Sequence, residues 1–161
     1  GDHRDLHSFP TRRLPISMSY LLLTAALMPI TVLVSNIQQE IKKYYFSLIS
    51  IEVLLFGVFS IQDLLGFYVA YEGILIPMLF IIGVYGARKE KITAAYYFFF
   101  YTLVGSILML IGIIYIYNSV GSTDYFQILS SEPFPFTVQI LLFLAFFASF
   151  SVKIPQFPFH I

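Results

Sequence analysis

The chain has 161 residues, of which 58% are hydrophobic and only 11% are charged. A soluble domain carries about 25% charged residues, so this composition excludes a soluble globule and predicts an integral membrane protein. The net charge of zero gives no indication of nucleic-acid binding. The sequence contains no cysteine, which excludes disulfide frameworks, thiol catalysis and iron–sulfur ligation by these residues.

Clusters of charged residues separate five apolar segments, each with enough residues to cross a bilayer, which takes roughly 20. A polar N-terminal arm at 1–13 comes first, and the predicted spans follow at about 14–39, 44–61, 64–85, 92–117 and 136–154. The stretch 118–135 is rich in polar and turn-forming residues and is interpreted as a loop. We therefore predict an all-α integral membrane protein with about five transmembrane helices, the last one broken at Pro155 and Pro158.

The loops on the two sides of the membrane differ in charge. Those after spans one and three carry Lys42, Lys43, Arg88, Lys89 and Lys91, whereas the other side carries Asp63, Asp124 and Glu132. By the positive-inside rule the basic side faces the matrix or the cytoplasm, and the N-terminal arm lies on the opposite side.

Glu72 lies eight residues into span three, about 12 Å deep at 1.5 Å per residue. An ionisable group in a span costs roughly 2.5–3.5 kcal/mol on insertion scales, which favours a functional role. Pro77 has no N–H, so the Gly73 carbonyl loses its helical donor and the helix is expected to loosen near the carboxylate. We predict a hydrated proton site here; the alternative is a carboxylate kept neutral by a helix neighbour.

Lys153 is the basic residue that ends span five. By composition alone, a lysine that snorkels to the headgroups is slightly favoured. Pro155 and Pro158 follow in a segment that is still apolar, however, and a helix broken in mid-membrane beside a lysine is typical of transporters. A lysine that gains and loses a proton as a nearby carboxylate changes is a plausible pump element. His160 is a further proton-relay candidate or a structural residue.

The remaining candidates carry weaker signals. Glu52 in span two is as compatible with an interhelical hydrogen bond as with a functional role. Asp63 is expected to cap the turn into span three, and a secondary functional role is the alternative. Gly105, Ser106 and Gly112 lie on related faces of span four and indicate close helix packing. The three histidines are scattered, so no metal site is predicted.

Three segments together resemble one family. They are Gly-Phe-Tyr-Val-Ala-Tyr-Glu-Gly-Ile-Leu-Ile-Pro-Met at 66–78, Tyr-Thr-Leu-Val-Gly-Ser at 101–106, and Ala-Phe-Phe-Ala-Ser-Phe-Ser-Val-Lys-Ile-Pro at 145–155 followed by His160. In order and spacing they are similar to the antiporter-like subunit-4 family of NADH:ubiquinone oxidoreductase, respiratory complex I, of the mitochondrial type. Residues 23–30 fit the helix that lies two before the glutamate-bearing helix.

The resemblance implies a subunit that takes part in proton translocation coupled to NADH oxidation and ubiquinone reduction. It pairs Glu72 with Lys153 and places His160 on a hydrated path. It implies no cofactor on this chain, with NADH, FMN, iron–sulfur clusters and ubiquinone on other subunits. The expected partners are other membrane-arm subunits and lipids, and the expected location is the mitochondrial inner membrane with the loops after spans one and three in the matrix.

Family members are roughly three times longer, so we expect a split or truncated subunit whose missing helices come from a second chain. Two alternatives remain open. One is a subunit of a related sodium/proton antiporter complex, which shares the fold. The other is a structural helical remnant that seals the membrane arm and pumps nothing.

Overall fold

The structure is a computed structural model. It describes residues 9–35 and 40–154, and the side chains from residue 16 onward within those ranges. Part of the N-terminal arm, the predicted end of the first span at residue 39, and the three C-terminal candidates Pro155, Pro158 and His160 lie outside the described residues.

The described residues form seven helices and no strand, which confirms the predicted all-α class. The helices are α1 (Phe9–Val34), α2 (Ile41–Ser60), α3 (Leu64–Gly73), α4 (Leu75–Tyr85), α5 (Lys91–Val120), α6 (Tyr125–Ser130) and α7 (Phe136–Lys153).

Five helical segments of the described chain are long and apolar enough to cross a membrane. They are α1 from Ile16 onward, α2, α3 and α4 together, α5, and α7. The chain is therefore a multi-pass membrane protein, as the spacing of its charges predicts. α1 begins at Phe9, inside the stretch assigned to the polar arm, since an arginine pair within it does not oppose helix formation.

The longest helix, α5, forms the centre of the bundle. It packs against α7, α4 and α3. Its buried residues recur every three or four positions and so form one stripe, which comprises Ala95, Thr102, Gly105, Ser106, Met109, Gly112, Ile113 and Ile116. Small residues in this stripe allow backbones to approach closely, which is how helices associate in a membrane. The site described below forms where α3 and α7 meet this stripe.

The two sets of loops lie at opposite ends of the bundle. The Tyr85 hydroxyl, at the end of α4, donates to the Glu40 carbonyl at 2.9 Å, so the turns before α2 and after α4 are neighbours. These turns and the adjoining first helical turns carry the five basic residues, together with Glu40 and Glu90. The turns before α3 and after α5 meet at the other end, where Asp63 and Asp124 form a backbone bridge.

Asp63 and Thr123 form a joint between the α2–α3 turn and the loop after α5. The Asp63 side chain caps α3 by accepting from the Gly66 N–H at 2.7 Å, which confirms its predicted role as a helix cap. Its second oxygen accepts a hydrogen bond from the Thr123 hydroxyl. The Leu64 N–H donates to the Thr123 carbonyl at 2.9 Å, so main chain and side chain both fasten α3 to α5.

The stretch 118–135, which we interpreted as a loop, contains the short helix α6. Asp124 caps it, because its carboxylate accepts from the Phe126 N–H at 2.8 Å and the Gln127 N–H at 3.3 Å. An aspartate followed by apolar residues is a helix-start signal. The surrounding glycines, serines and prolines are turn-forming residues, however, and in the sequence they favour a loop over a helix. α5 also extends to Val120, where Gly121 ends it with a positive φ of 80°.

Replacing Asp63 by alanine is expected to destabilise the bundle by roughly 0.5–2 kcal/mol, the usual cost of losing a helix cap. Thr123→Val, which removes only the hydroxyl, is expected to cost less because the cap on α3 remains. Thermal unfolding of the purified protein in detergent measures both changes. If Thr123→Val proved as costly as Asp63→Ala, the cap would not be the main contribution of Asp63.

The same carboxylate makes the joint sensitive to acid. The hydrogen bonds from the Thr123 hydroxyl and the Gly66 N–H lower the pKa of Asp63 below its ordinary value. A lowered folded-state pKa contributes stability that is present above the unfolded value of about 3.9 and is lost as the pH falls through the folded-state value. Asp63→Asn is expected to reduce the pH dependence of the free energy of unfolding in this acid range. Near neutrality, the pH dependence of this free energy is expected to stay unchanged.

Candidate functional site

The third span is interrupted in its middle, close to Glu72. α3 ends at Gly73, Ile74 separates the two helices, and α4 begins at Leu75. Ile74 keeps right-handed helical dihedral angles (φ −61°, ψ −26°), so the chain continues in nearly the same direction. Pro77 lies in the first turn of α4, where a backbone N–H is not needed, and the interruption falls just before it. Pro77 has no N–H for the Gly73 carbonyl, and the Ile74 N–H donates to the Glu72 carbonyl only two residues back, so the regular helical hydrogen-bond pattern is broken here.

The structure brings Glu72 of α3 and Lys153 of α7 together. The Lys153 Nζ lies 3.9 Å from the Glu72 Oε1, and the two side chains are only 20% and 17% exposed. That distance is within range of an ion pair but too long for a hydrogen bond. The two charges attract each other, but no hydrogen bond joins the two groups, so either group can change partner without breaking one.

Tyr71, which was not among the predicted site residues, supplies the closest partners of the lysine. The Lys153 ammonium donates to the Tyr71 carbonyl at 2.6 Å and lies 3.2 Å from the centroid of the Tyr71 ring. The carbonyl is available because it belongs to the last turn of α3, where the interruption removes the next donor. The only sequence signal was an aromatic residue next to the membrane glutamate, and such residues are common in this chain.

The pair lies away from the ends of the neighbouring helices. Val152, next to Lys153, packs on Gly105 near the middle of the 30-residue α5. Glu72 lies near the middle of the span from Leu64 to Tyr85. The ammonium therefore lies at the depth of a helix centre, although Lys153 is the last residue of α7.

Several buried polar atoms of α3 and α7 have no hydrogen bond to the residues that the structure describes. Glu72 Oε1, Ser149 Oγ and Ser151 Oγ are buried and have no hydrogen-bond partner within the described chain. Ser106 in α5 is also buried, but its hydroxyl donates to the Leu103 carbonyl of its own helix at 2.9 Å. Such buried polar atoms are usually satisfied by ordered water, and a water molecule needs two to four polar partners.

The other candidates separate into different places. Gly105 and Gly112 both lie where α5 contacts α7, and an added Cβ at Gly112 would come within 3.3 Å of Phe146. Glu52 is a partly buried residue of α2, and its carboxylate forms no ion pair with the side chains described in residues 16–35 and 40–154. Asp63 lies in the joint at the end of the bundle, away from the pair. No group of metal ligands occurs among the described side chains.

A comparison of the sequence with known families gives a match that covers this site. The model of the NADH:quinone oxidoreductase/Mrp antiporter transmembrane family matches residues 61–161, which include Glu72 and Lys153. The chain belongs to this family. The match confirms the resemblance seen in the three sequence segments, and it covers well over half of the chain.

Individual relatives agree with the family assignment. The chain is 54% identical over 148 residues to the NADH-ubiquinone oxidoreductase chain 4 of Metridium senile, and 49% identical to that of Prototheca wickerhamii. It is 42% identical over 158 residues to the NADH-quinone oxidoreductase subunit M of Rhodobacter capsulatus. These alignments cover 90–91% of this chain but only 28–31% of the relatives, so the chain spans less than a third of their length.

Proposed function

We propose that this chain is part of the proton-translocating membrane arm of respiratory complex I, with Glu72 and Lys153 as the groups that handle protons. The observation that carries this proposal is the meeting of a carboxylate and an ammonium at mid-helix depth, beside an interrupted span. Ionisable groups in such positions are costly to keep in a membrane and mark ion pathways. The names of the relatives supply the reaction: oxidation of NADH and reduction of a quinone.

The geometry allows the pair to pass charge between helices. The Glu72 carboxylate stabilises the Lys153 ammonium across 3.9 Å. A proton that arrives on Glu72 removes that negative charge, and the ammonium then loses the group that stabilises it. Lys153 can release a proton or shift toward other acceptors, so a change at α3 is transmitted to α7.

Water is the expected carrier of protons to and from the pair. The unpaired Ser149 and Ser151 hydroxyls and the free Glu72 oxygen provide polar partners for it. Pro155 and Pro158 are proposed to break the helix after Lys153, and His160 to continue the path; Glu52 is proposed only as a secondary site. Non-helical backbone is tolerated in a membrane where it lines a cavity, which fits such a path.

The redox chemistry is proposed to take place elsewhere in the complex. NADH, FMN, iron–sulfur clusters and ubiquinone would be held by other subunits, and this chain would respond to quinone reduction through its membrane contacts. We further propose that other membrane-arm subunits and lipids are its partners.

We propose a location in the mitochondrial inner membrane, with the basic end of the bundle in the matrix. This orientation follows the positive-inside rule, because the five basic residues of the short loops and adjoining helix ends lie together. Membrane-impermeant labelling of single cysteines introduced in place of Lys89 and Ser122 tests it in intact mitochondria stripped of the outer membrane. Labelling at position 122 but not at 89 is expected, and the reverse pattern would invert the assigned orientation.

Mass spectrometry of the intact native complex that carries this chain tests the proposed function as a whole. We expect NADH-oxidising subunits in the same particle. A sodium/proton antiporter complex is the rival, since the family description includes Mrp antiporters. A particle without any NADH-oxidising subunit would favour that rival and overturn the assignment to complex I.

A further inference from the structure

The Lys153 ammonium is held more closely by Tyr71 than by Glu72. Its distance to the Tyr71 carbonyl oxygen is 2.6 Å and to the ring centroid 3.2 Å, against 3.9 Å to the carboxylate. We propose that Tyr71 is a positioning residue, which gives the ammonium a second place to bind and so sets how readily Lys153 leaves Glu72. This inference rests on the proposed role of the Glu72–Lys153 pair in proton translocation.

Tyr71 itself is held rigidly, as a positioning residue must be. Its hydroxyl donates to the Ser149 carbonyl at 3.2 Å, one helical turn before Lys153 on the same helix. Phe67 stacks on its ring with centroids 5.7 Å apart, and Phe150 meets it edge-on at 5.8 Å. The ring is therefore contacted from α3 and from α7, which restricts its rotation when the lysine moves.

The two acceptors on Tyr71 differ from Glu72 in one chemical respect. A carbonyl oxygen and the face of an aromatic ring attract a cation, but neither takes up a proton at physiological pH. They can stabilise the ammonium while the charge of Glu72 changes. Without the ring, the ammonium depends more heavily on the carboxylate, and we expect Lys153 to move less freely between its partners.

The experiment measures the rate of proton translocation per assembled complex, expressed as a ratio to the rate of the unaltered complex. Tyr71→Leu, which removes the ring, is expected to lower this ratio roughly three- to tenfold, the range that corresponds to a partly desolvated cation–π contact. Tyr71→Phe keeps the ring and the carbonyl, and we expect its value to stay close to that of the unaltered complex. If the Tyr71→Leu complex does not assemble, Tyr71→Met is measured in its place.

Phe67→Leu is the matched control. It removes a ring from the same aromatic cluster, but the recorded contacts of Phe67 are with Tyr71 and not with the ammonium. It is expected to lower the ratio less than Tyr71→Leu does, because Phe150 and the hydrogen bond to Ser149 still hold the Tyr71 ring in place. An equal fall in Phe67→Leu and Tyr71→Leu, or an unchanged ratio in Tyr71→Leu, would overturn the positioning role.

Lys153→Ala in the same series separates this inference from the proposed function. A ratio that is unchanged in Lys153→Ala overturns the function and the inference together. A ratio that is lost in Lys153→Ala but unchanged in Tyr71→Leu overturns the inference alone.

Discussion

Lys153→Ala and Glu72→Gln are both expected to leave the complex assembled and to abolish most of its proton translocation. Each substitution removes one member of a largely buried pair. A loss of about 1.4 kcal/mol of interaction in the rate-limiting step corresponds to a tenfold slower reaction, and we expect a fall of at least this size. Proton uptake and NADH:quinone reductase activity in reconstituted vesicles, both normalised to assembled complex, measure it.

Two further variants separate chemistry from folding. Lys153→Ala leaves the Glu72 carboxylate unpaired, which destabilises a buried site by about 3–5 kcal/mol when no relaxation occurs. The double variant Glu72→Gln with Lys153→Met carries no charge in the site and is expected to assemble normally but still not pump. Glu52→Gln, a carboxylate of the neighbouring helix α2, is expected to keep most of the activity. Unchanged pumping in both single variants would leave only a structural role for the bundle.

Gly105→Ala is expected to displace α7 and to weaken both stability and pumping. An added Cβ would lie 2.8 Å from Val152 Cγ2 and 3.0 Å from its Cβ, closer than real side chains approach. Such overpacking costs about 1–3 kcal/mol, and Val152 is β-branched, so it has few rotamers that avoid the clash. Because Lys153 is the next residue, a shift of α7 also changes the distance to Glu72.

The thermal midpoint of the assembled complex and its pumping rate report this effect. Gly83→Ala is the matched control, since its added Cβ would meet only the Ala95 Cβ at an ordinary 3.7 Å. It is expected to be neutral or stabilising, because alanine has a higher helix propensity than glycine by about 1 kcal/mol. Adding Val152→Ala to Gly105→Ala should restore much of the loss. A Gly105→Ala complex as stable as Gly83→Ala would show that the contact with α7 is not tight.

The number of spans, and which loops lie together at each end of the bundle, can be predicted from local sequence. Charged residues cannot lie unpaired in hydrocarbon, so their spacing marks the turns. The cap at Asp63 is likewise local, since an aspartate serves the N–H groups that follow it in the chain. The charged pair does not follow from local sequence, because composition alone slightly favours a lysine that snorkels to the headgroups; the pairing is implied by the family resemblance.

The details of the site do not follow from local sequence. The contact of Lys153 with the Tyr71 carbonyl joins residues 82 positions apart, and a backbone carbonyl carries no residue-specific signal. Pro77 causes the interruption, but the interruption itself lies at Ile74. A proline fits within the first turn of a helix, so the helix breaks before the proline and not at it. The hydrogen bond from Thr123 to Asp63 joins two turns 60 positions apart, and neither turn reveals it alone.

The interruption at Ile74 also limits what mutagenesis can remove. The oxygen that lies closest to the lysine belongs to the main chain of residue 71, and every amino acid at that position carries the same oxygen. Substitution can replace the Glu72 carboxylate and the Tyr71 ring. It cannot replace the carbonyl oxygen of residue 71, which is part of the main chain at the end of α3. The membrane cation thus retains one neutral binding partner in every side-chain variant of the site, and only a change that closes the gap between α3 and α4 would take it away.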